Sequence, residues 1–99
     1  MKIILYSKPG CHLCEGLQEK LEQITSINFE LEIRDINTRE DWFTAYQYEI
    51  PVLFLSHYSE TEKAEVLQPI PRPSPRANAK QLEKMLLKYI PITENNNEV

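Results

Sequence analysis

Apolar and polar positions along this chain repeat with two different periods, and each change of period marks an element. Lys2 to Tyr6, KIILY, is a continuous apolar run ended by Ser-Lys-Pro-Gly. A strand with one solvated face would alternate, so this run predicts a central parallel strand buried on both faces. From Cys11 onward the apolar positions are Leu13, Leu17, Leu21 and Ile24, spaced four, four and three, with Glu15, Glu19, Lys20 and Glu22 on the other side. That is the stripe of an amphipathic helix reaching about Ser26. Phe29, Leu31 and Ile33 then alternate with Glu30, Glu32 and Arg34. This period of two predicts a strand with one wet face, at or near a sheet edge.

Asn37 and Thr38 are good helix caps, and Glu40 and Asp41 each follow one of them by three residues. They predict a short second helix that carries Trp42, Phe43 and Tyr46 and ends near Glu49, ahead of Pro51. VLFLS, Val52 to Ser56, predicts a third strand, and Ala64 to Leu67 a weaker fourth after the polar loop Ser56 to Lys63. Pro69, Pro71, Pro73 and Pro75 argue against regular structure between them. Either Ser74-Pro75, or Asn78 with Gln81 three residues on, offers a start for a last helix with Leu82, Met85, Leu86 and Tyr89 as its buried stripe. Pro91 stops it, and the polar residues 91–99 predict a disordered tail.

Helices between the first three strands suggest a small α/β layer fold whose first strand-helix-strand unit is a right-handed parallel crossover. Ninety-nine residues with 41% apolar content suit one domain, over 1–90. The formal charge of -4, from 15 acidic against 11 basic residues with no basic run, argues against nucleic acid as a partner. No apolar stretch approaches the ~20 residues that span a bilayer, nor does the N-terminus carry a secretory core. The expectation is a cytoplasmic monomer with no membrane partner.

SKPGCHLCEG, Ser7 to Gly16, holds both cysteines and both glycines of the chain. In a reducing compartment such a pair is catalytic, redox-sensing or metal-binding rather than a structural staple. At a helix start, Cys11 faces unpaired backbone N–H groups and the positive end of the helix dipole, which favour the thiolate. Lys8 and a protonated His12 add to this, and Glu15 opposes it. Cys14 lies one turn on, on the face of Leu17 and Leu21, and is expected to be more buried. That asymmetry makes Cys11 the attacking thiolate and Cys14 the resolving thiol in dithiol exchange. Gly10, without a side chain, lets a partner's backbone come close.

Other readings of the same residues stay open. A zinc site would need two further ligands, with His12 and His57 the available imidazoles. A cluster shared between two chains, or a protein-binding domain with a redox-switched pair, would also use these thiols. His12 could equally be a solvated position between the cysteines, and Lys8 an exposed loop residue. Glu49 beside Pro51 reads as a substrate contact or a solvated helix end. Arg39 and Arg72 are placed on one face and could bind a substrate carboxylate. Trp42, Phe43 and Tyr46 read as packing, and His57 as a surface loop residue. PIPRPSP reads as a docking segment or as the replacement of a turn.

The CxxC of KPGCHLC at a strand-helix junction, Ile50-Pro51 just before the third strand, and the order of elements together resemble the thioredoxin superfamily. The likeness is strongest to small bacterial glutaredoxin-like proteins and covers roughly Met1 to Tyr89. It implies a thioredoxin-like, glutaredoxin-type α/β fold with a four-stranded mixed sheet and three helices. It also implies a redox-active Cys11–Cys14 disulfide faced by a cis Pro51, and thiol-disulfide oxidoreductase activity without a bound cofactor. Substrates would be disulfide-containing proteins or small molecules, contacted by Lys8, Gly10, His12, Ile50 and Pro51. Electrons would come from glutathione or a thioredoxin-type reductase. This chain departs from the usual pattern in having His12-Leu13 between the cysteines and Glu49-Ile50 before the proline. It has no glycine after Gly16, where glutaredoxins carry a glycine pair in their glutathione site, and PIPRP stands there instead. That substitution argues against efficient glutathione use.

Overall fold

In a computed structural model of the chain, residues 1–90 are described; the expected disordered tail at 91–99 lies outside them. The run KIILY becomes the centre of a four-stranded sheet. Strand β1 (Lys2–Ser7) pairs in parallel with β2 (Glu30–Asp35) and antiparallel with β3 (Val52–Ser59), and β4 (Ala64–Ile70) lies antiparallel on the far side of β3. The spatial order is β2-β1-β3-β4. Residues 3–7 of β1 are buried, as a run without polar alternation requires. β1 is thus central, but parallel to only one neighbour. Tyr6 pairs with Val52, so β3 begins at the end of the sheet where β2 finishes. The intervening helix α2 (Glu40–Tyr46) is seven residues long and spans only ~10 Å, half the ~20 Å of a six-residue strand. It does not carry the chain back along the sheet, so β3 runs the other way.

The pleat divides the core between two faces. On one, Ile3, Leu5, Leu53, Leu55 and Ile70 meet Leu17, Leu21 and Ile24 of α1 (His12–Gln23) and its cap, together with Leu82 and Leu86 of α3 (Ala79–Leu87). Truncating a buried leucine such as Leu21 or Leu82 to alanine costs ~2–5 kcal/mol in this kind of packing. On the other face, Ile4, Tyr6 and Ile36 meet Trp42, Tyr46, Ile50, Val52 and Phe54. The Tyr6 ring lies 5.6 Å from Trp42 and 4.4 Å from Tyr46, so these aromatics are packing residues, with Phe43 left half outside.

Several boundaries differ from the sequence expectation for local reasons. Asn37 and Thr38 do not cap α2. They lie in a 3-10 turn over Ile36–Thr38, where the Asp35 carboxylate accepts from the Asn37 N–H at 2.9 Å and the Thr38 hydroxyl donates to the Asp35 carbonyl. Arg39 then begins α2 without a side-chain cap, and the helix ends at Tyr46. β3 extends to Ser59, placing His57 opposite Val66 within the sheet rather than in a loop. β4 continues through Pro69 to Ile70, because an edge strand has N–H positions that face no neighbour and can accept a proline. α3 starts at Asn78, whose side chain accepts from the Gln81 N–H at 2.8 Å while the Gln81 side chain accepts from the Asn78 N–H at 2.9 Å. Ser74-Pro75 stays outside it. Leu13, placed by periodicity on the buried stripe of α1, is 50% exposed in the first turn of that helix.

Candidate active site

The turn after β1 sets up the cysteine pair. Gly10 has φ +83°, in the left-handed region that disfavours side chains, and a Cβ there would meet nothing within 4 Å. Its conformation therefore requires glycine, where the sequence reading looked to room for a partner. The Cys11 N–H returns to the Lys8 carbonyl at 3.3 Å, closing the turn. Cys11 is the N-cap of α1: its sulfur accepts from the Cys14 N–H at 3.2 Å, and its carbonyl accepts from the Glu15 N–H at 3.0 Å. A backbone donor on the sulfur, at the positive end of α1, stabilises negative charge there. Cys11 and Cys14 are disulfide-bonded with Cα atoms 5.3 Å apart; Cys11 is half-buried and Cys14 is only 2% exposed.

Beside the pair opens a groove of about 160 Å³. One wall is α1, through His12, Leu13, Gly16, Leu17 and Lys20; the floor includes Pro51 and Leu82; the far wall is the proline-rich segment from Arg72 to Ala77. Two long side chains fasten that far wall. Arg72 Nη2 donates to the carbonyls of Glu49 and Ile50, the latter at 3.3 Å, and Lys20 Nζ donates to the Pro75 carbonyl at 2.8 Å. His12, Lys20 and Arg72 are the ionisable residues of the lining, and no carboxylate is among them. Gly16 sits mid-helix with unexceptional backbone, where glycine costs ~0.5–1 kcal/mol against alanine, and a Cβ there would meet nothing within 4 Å. Nothing inside the protein requires its lack of a side chain.

The sequence of the chain matches the family profile of the glutaredoxin-like domain (DUF836) over residues 2–87. The chain belongs to that family. The fold agrees: the crystal structure of the Trx4 domain of ERdj5 superposes on this glutaredoxin-like protein with a TM-score of 0.59 at 12% identity, covering 90% of this chain and 78% of that one. Among curated proteins, none matches its sequence. Family and fold establish a glutaredoxin-like protein of the thioredoxin superfamily carrying a CxxC pair, in keeping with a redox function.

Of the candidate residues, His12 and Pro51 both line the groove, Cys11 and Cys14 flank His12 and Leu13 in the chain and are bonded to each other, and Gly10 lies in the turn before Cys11. The Ile50–Pro51 bond is cis, as the resemblance implies. The His12 ring is almost fully solvated, its Nδ1 3.6 Å from the Glu15 carboxylate. Lys8 contributes its carbonyl to the turn while its side chain is exposed and outside the groove lining. Ile50 faces the second core, and its backbone is already engaged: its N–H donates to the Tyr46 carbonyl at 3.1 Å and its carbonyl accepts from Arg72. Arg39 and Arg72 do not share a face of the groove. Arg39 pairs with Asp41 at 2.9 Å and lies 4.8 Å over the Trp42 ring, whereas Arg72 lines the groove. Leu13, Gly16 and Lys20 escaped the sequence reading as groove residues, the first because periodicity assigned it to the core.

Away from the groove, Glu32 and Arg34 on the polar side of β2 are half-buried rather than wet, while Glu30 is exposed. Arg34 ion-pairs with Glu32, donates to the Tyr6 hydroxyl at 2.9 Å and stacks 5.4 Å from Trp42; Lys2 reaches Glu32 at 2.9 Å. Hydrogen bonds from Arg34 and then Lys2 hold the Glu32 carboxyl below its ordinary value, against the opposing effect of burial.

Proposed function

We propose that this protein is a thiol-disulfide oxidoreductase working by dithiol exchange between Cys11 and Cys14. The observation that carries the reading is the asymmetry of the pair: Cys11 half-buried with a backbone N–H on its sulfur, Cys14 2% exposed one turn on. In the reduced protein the Cys11 thiolate attacks one sulfur of a substrate disulfide, forming a mixed disulfide and expelling a substrate thiolate that takes up a proton. The Cys14 thiol loses its proton and attacks Cys11 Sγ, forming the intramolecular disulfide and releasing the second substrate thiolate. Two electrons pass to the substrate. A thiol reductant, either glutathione or a thioredoxin-type reductase, returns the pair to the dithiol.

Gly10, His12 and Pro51 frame the approach to Cys11, and the unsolvated position of Cys14 keeps it from competing for substrate. No helix among the described residues is long and apolar enough to cross a membrane. Nor do those residues bring together three or more His, Cys, Asp or Glu side chains able to hold a metal ion, so a metal or cluster use of the thiols would draw ligands from elsewhere.

Substitution separates the roles. Cys14→Ser is expected to accumulate a mixed disulfide with substrate, detected by mass spectrometry after acid quenching. Cys11→Ser is expected to lose exchange altogether. Full turnover of hydroxyethyl disulfide by Cys11→Ser would sink the assignment. A coloured or metal-loaded protein after anaerobic purification, with no turnover, would favour the binding-module reading instead.

A further inference from the structure

We infer that the groove beside the cysteine pair selects disulfides of acidic polypeptides, taking an apolar side chain next to the target cysteine and a carboxylate at its cationic rim. This rests on the exchange reading and specifies its substrate.

Three observations carry it. Leu13, Leu17 and Pro51 give the groove an apolar lining next to the disulfide, and Leu13 is left half-exposed at the mouth although it lies in an amphipathic helix. Gly16 opens that wall with no internal need for a glycine, since its backbone is ordinary and a Cβ would meet nothing. An occupant from outside the chain accounts for the space. At the rim, Lys20 and Arg72 are held to backbone carbonyls, which leave their charges unneutralised, and neither has a carboxylate partner among the described residues. Two cations in a lining without a carboxylate, on a chain of net charge -4, favour an anionic partner at this place. Glutathione supplies the carboxylates but no apolar side chain, so it would leave the lining uncovered.

The test uses second-order rate constants for oxidation of the pre-reduced full chain, followed by quenching and thiol alkylation. The probes are the disulfide-linked dimers of the end-capped pentapeptide Glu-Leu-Cys-Leu-Glu and of its counterparts Glu-Ala-Cys-Ala-Glu and Lys-Leu-Cys-Leu-Lys, with hydroxyethyl disulfide and oxidised glutathione beside them. The acidic leucine peptide is expected to react at least tenfold faster than either counterpart and than oxidised glutathione. Gly16→Leu, which fills the groove, is expected to lower the ratio of that rate to the hydroxyethyl disulfide rate at least tenfold. Equal rates for the three peptides, a preference for glutathione, or an unchanged ratio in Gly16→Leu would overturn the inference and leave the exchange reading standing. Failure with every disulfide would remove both.

Discussion

At the residue scale the two glycines make opposite predictions. Gly10 adopts φ +83°, so Gly10→Ala forces a side chain into the left-handed region and is expected to cost ~1–2 kcal/mol. Gly16 is in ordinary helix with open space at its Cβ, so Gly16→Ala is expected to stabilise by ~0.5–1 kcal/mol. For a domain of this size that is a rise in Tm of roughly 2–8 °C, read by thermal unfolding. A fall in Tm for Gly16→Ala would mean that the helix depends on that glycine after all. The pair Cys11 and Cys14 was legible in sequence because its placement follows from local rules, a strand end at Ser7 and a helix start at His12. The ends of Lys20 and Arg72 were not. Their long side chains find carbonyls 55 and 22 residues away in the chain, and no periodicity encodes where a flexible cation will reach.

At the scale of elements, caps decide the boundaries. The reciprocal Asn78–Gln81 hydrogen bonds hold the start of α3, which supplies Leu82 to the groove and Leu82 and Leu86 to the core. Asn78→Ala is expected to cost about 1 kcal/mol, measured by denaturant unfolding, and to leave the m-value unchanged. Both signals for this helix were visible in sequence, and only the competition between Asn78 and Ser74-Pro75 needed the structure. At the second helix the local signals compete. Asp35 outcompetes Asn37 and Thr38 because it sits at the strand end, where its carboxylate can reach the first free N–H of the 3-10 turn. Pro69 misled for a different reason. Whether a proline breaks a strand depends on whether a neighbour pairs on that side, and strand order is not written in the local sequence.

At the scale of the molecule, the two-faced sheet was legible from the unbroken apolar run of β1, while the antiparallel turn to β3 depends on the shortness of α2. The polar face of β2 ties the sheet edge to the aromatic cluster through Arg34, and this gives the fold a pH dependence. The folded-state Glu32 carboxyl titrates below its ordinary value of 4.5, so its ion pairs contribute in full above that value. The contribution is lost as pH falls below 4.5 and through the lower folded-state value. Glu32→Gln is therefore expected to lose less stability than the parent as pH falls below 4.5, seen as a smaller change in denaturation midpoint. An identical acid response in both would remove this carboxylate from the account.

Arg72 and Lys20 both end on main-chain oxygens, which every residue type carries. The far wall is therefore attached through one side chain of its own, Arg72, and one main-chain oxygen, that of Pro75. Pro73 belongs to neither tether, whereas the Ser74 hydroxyl accepts from the Arg76 N–H at 3.2 Å and shapes the turn that presents the Pro75 carbonyl to Lys20. Pro73 is thus the wall position at which a new side chain would alter the groove and leave both tethers in place.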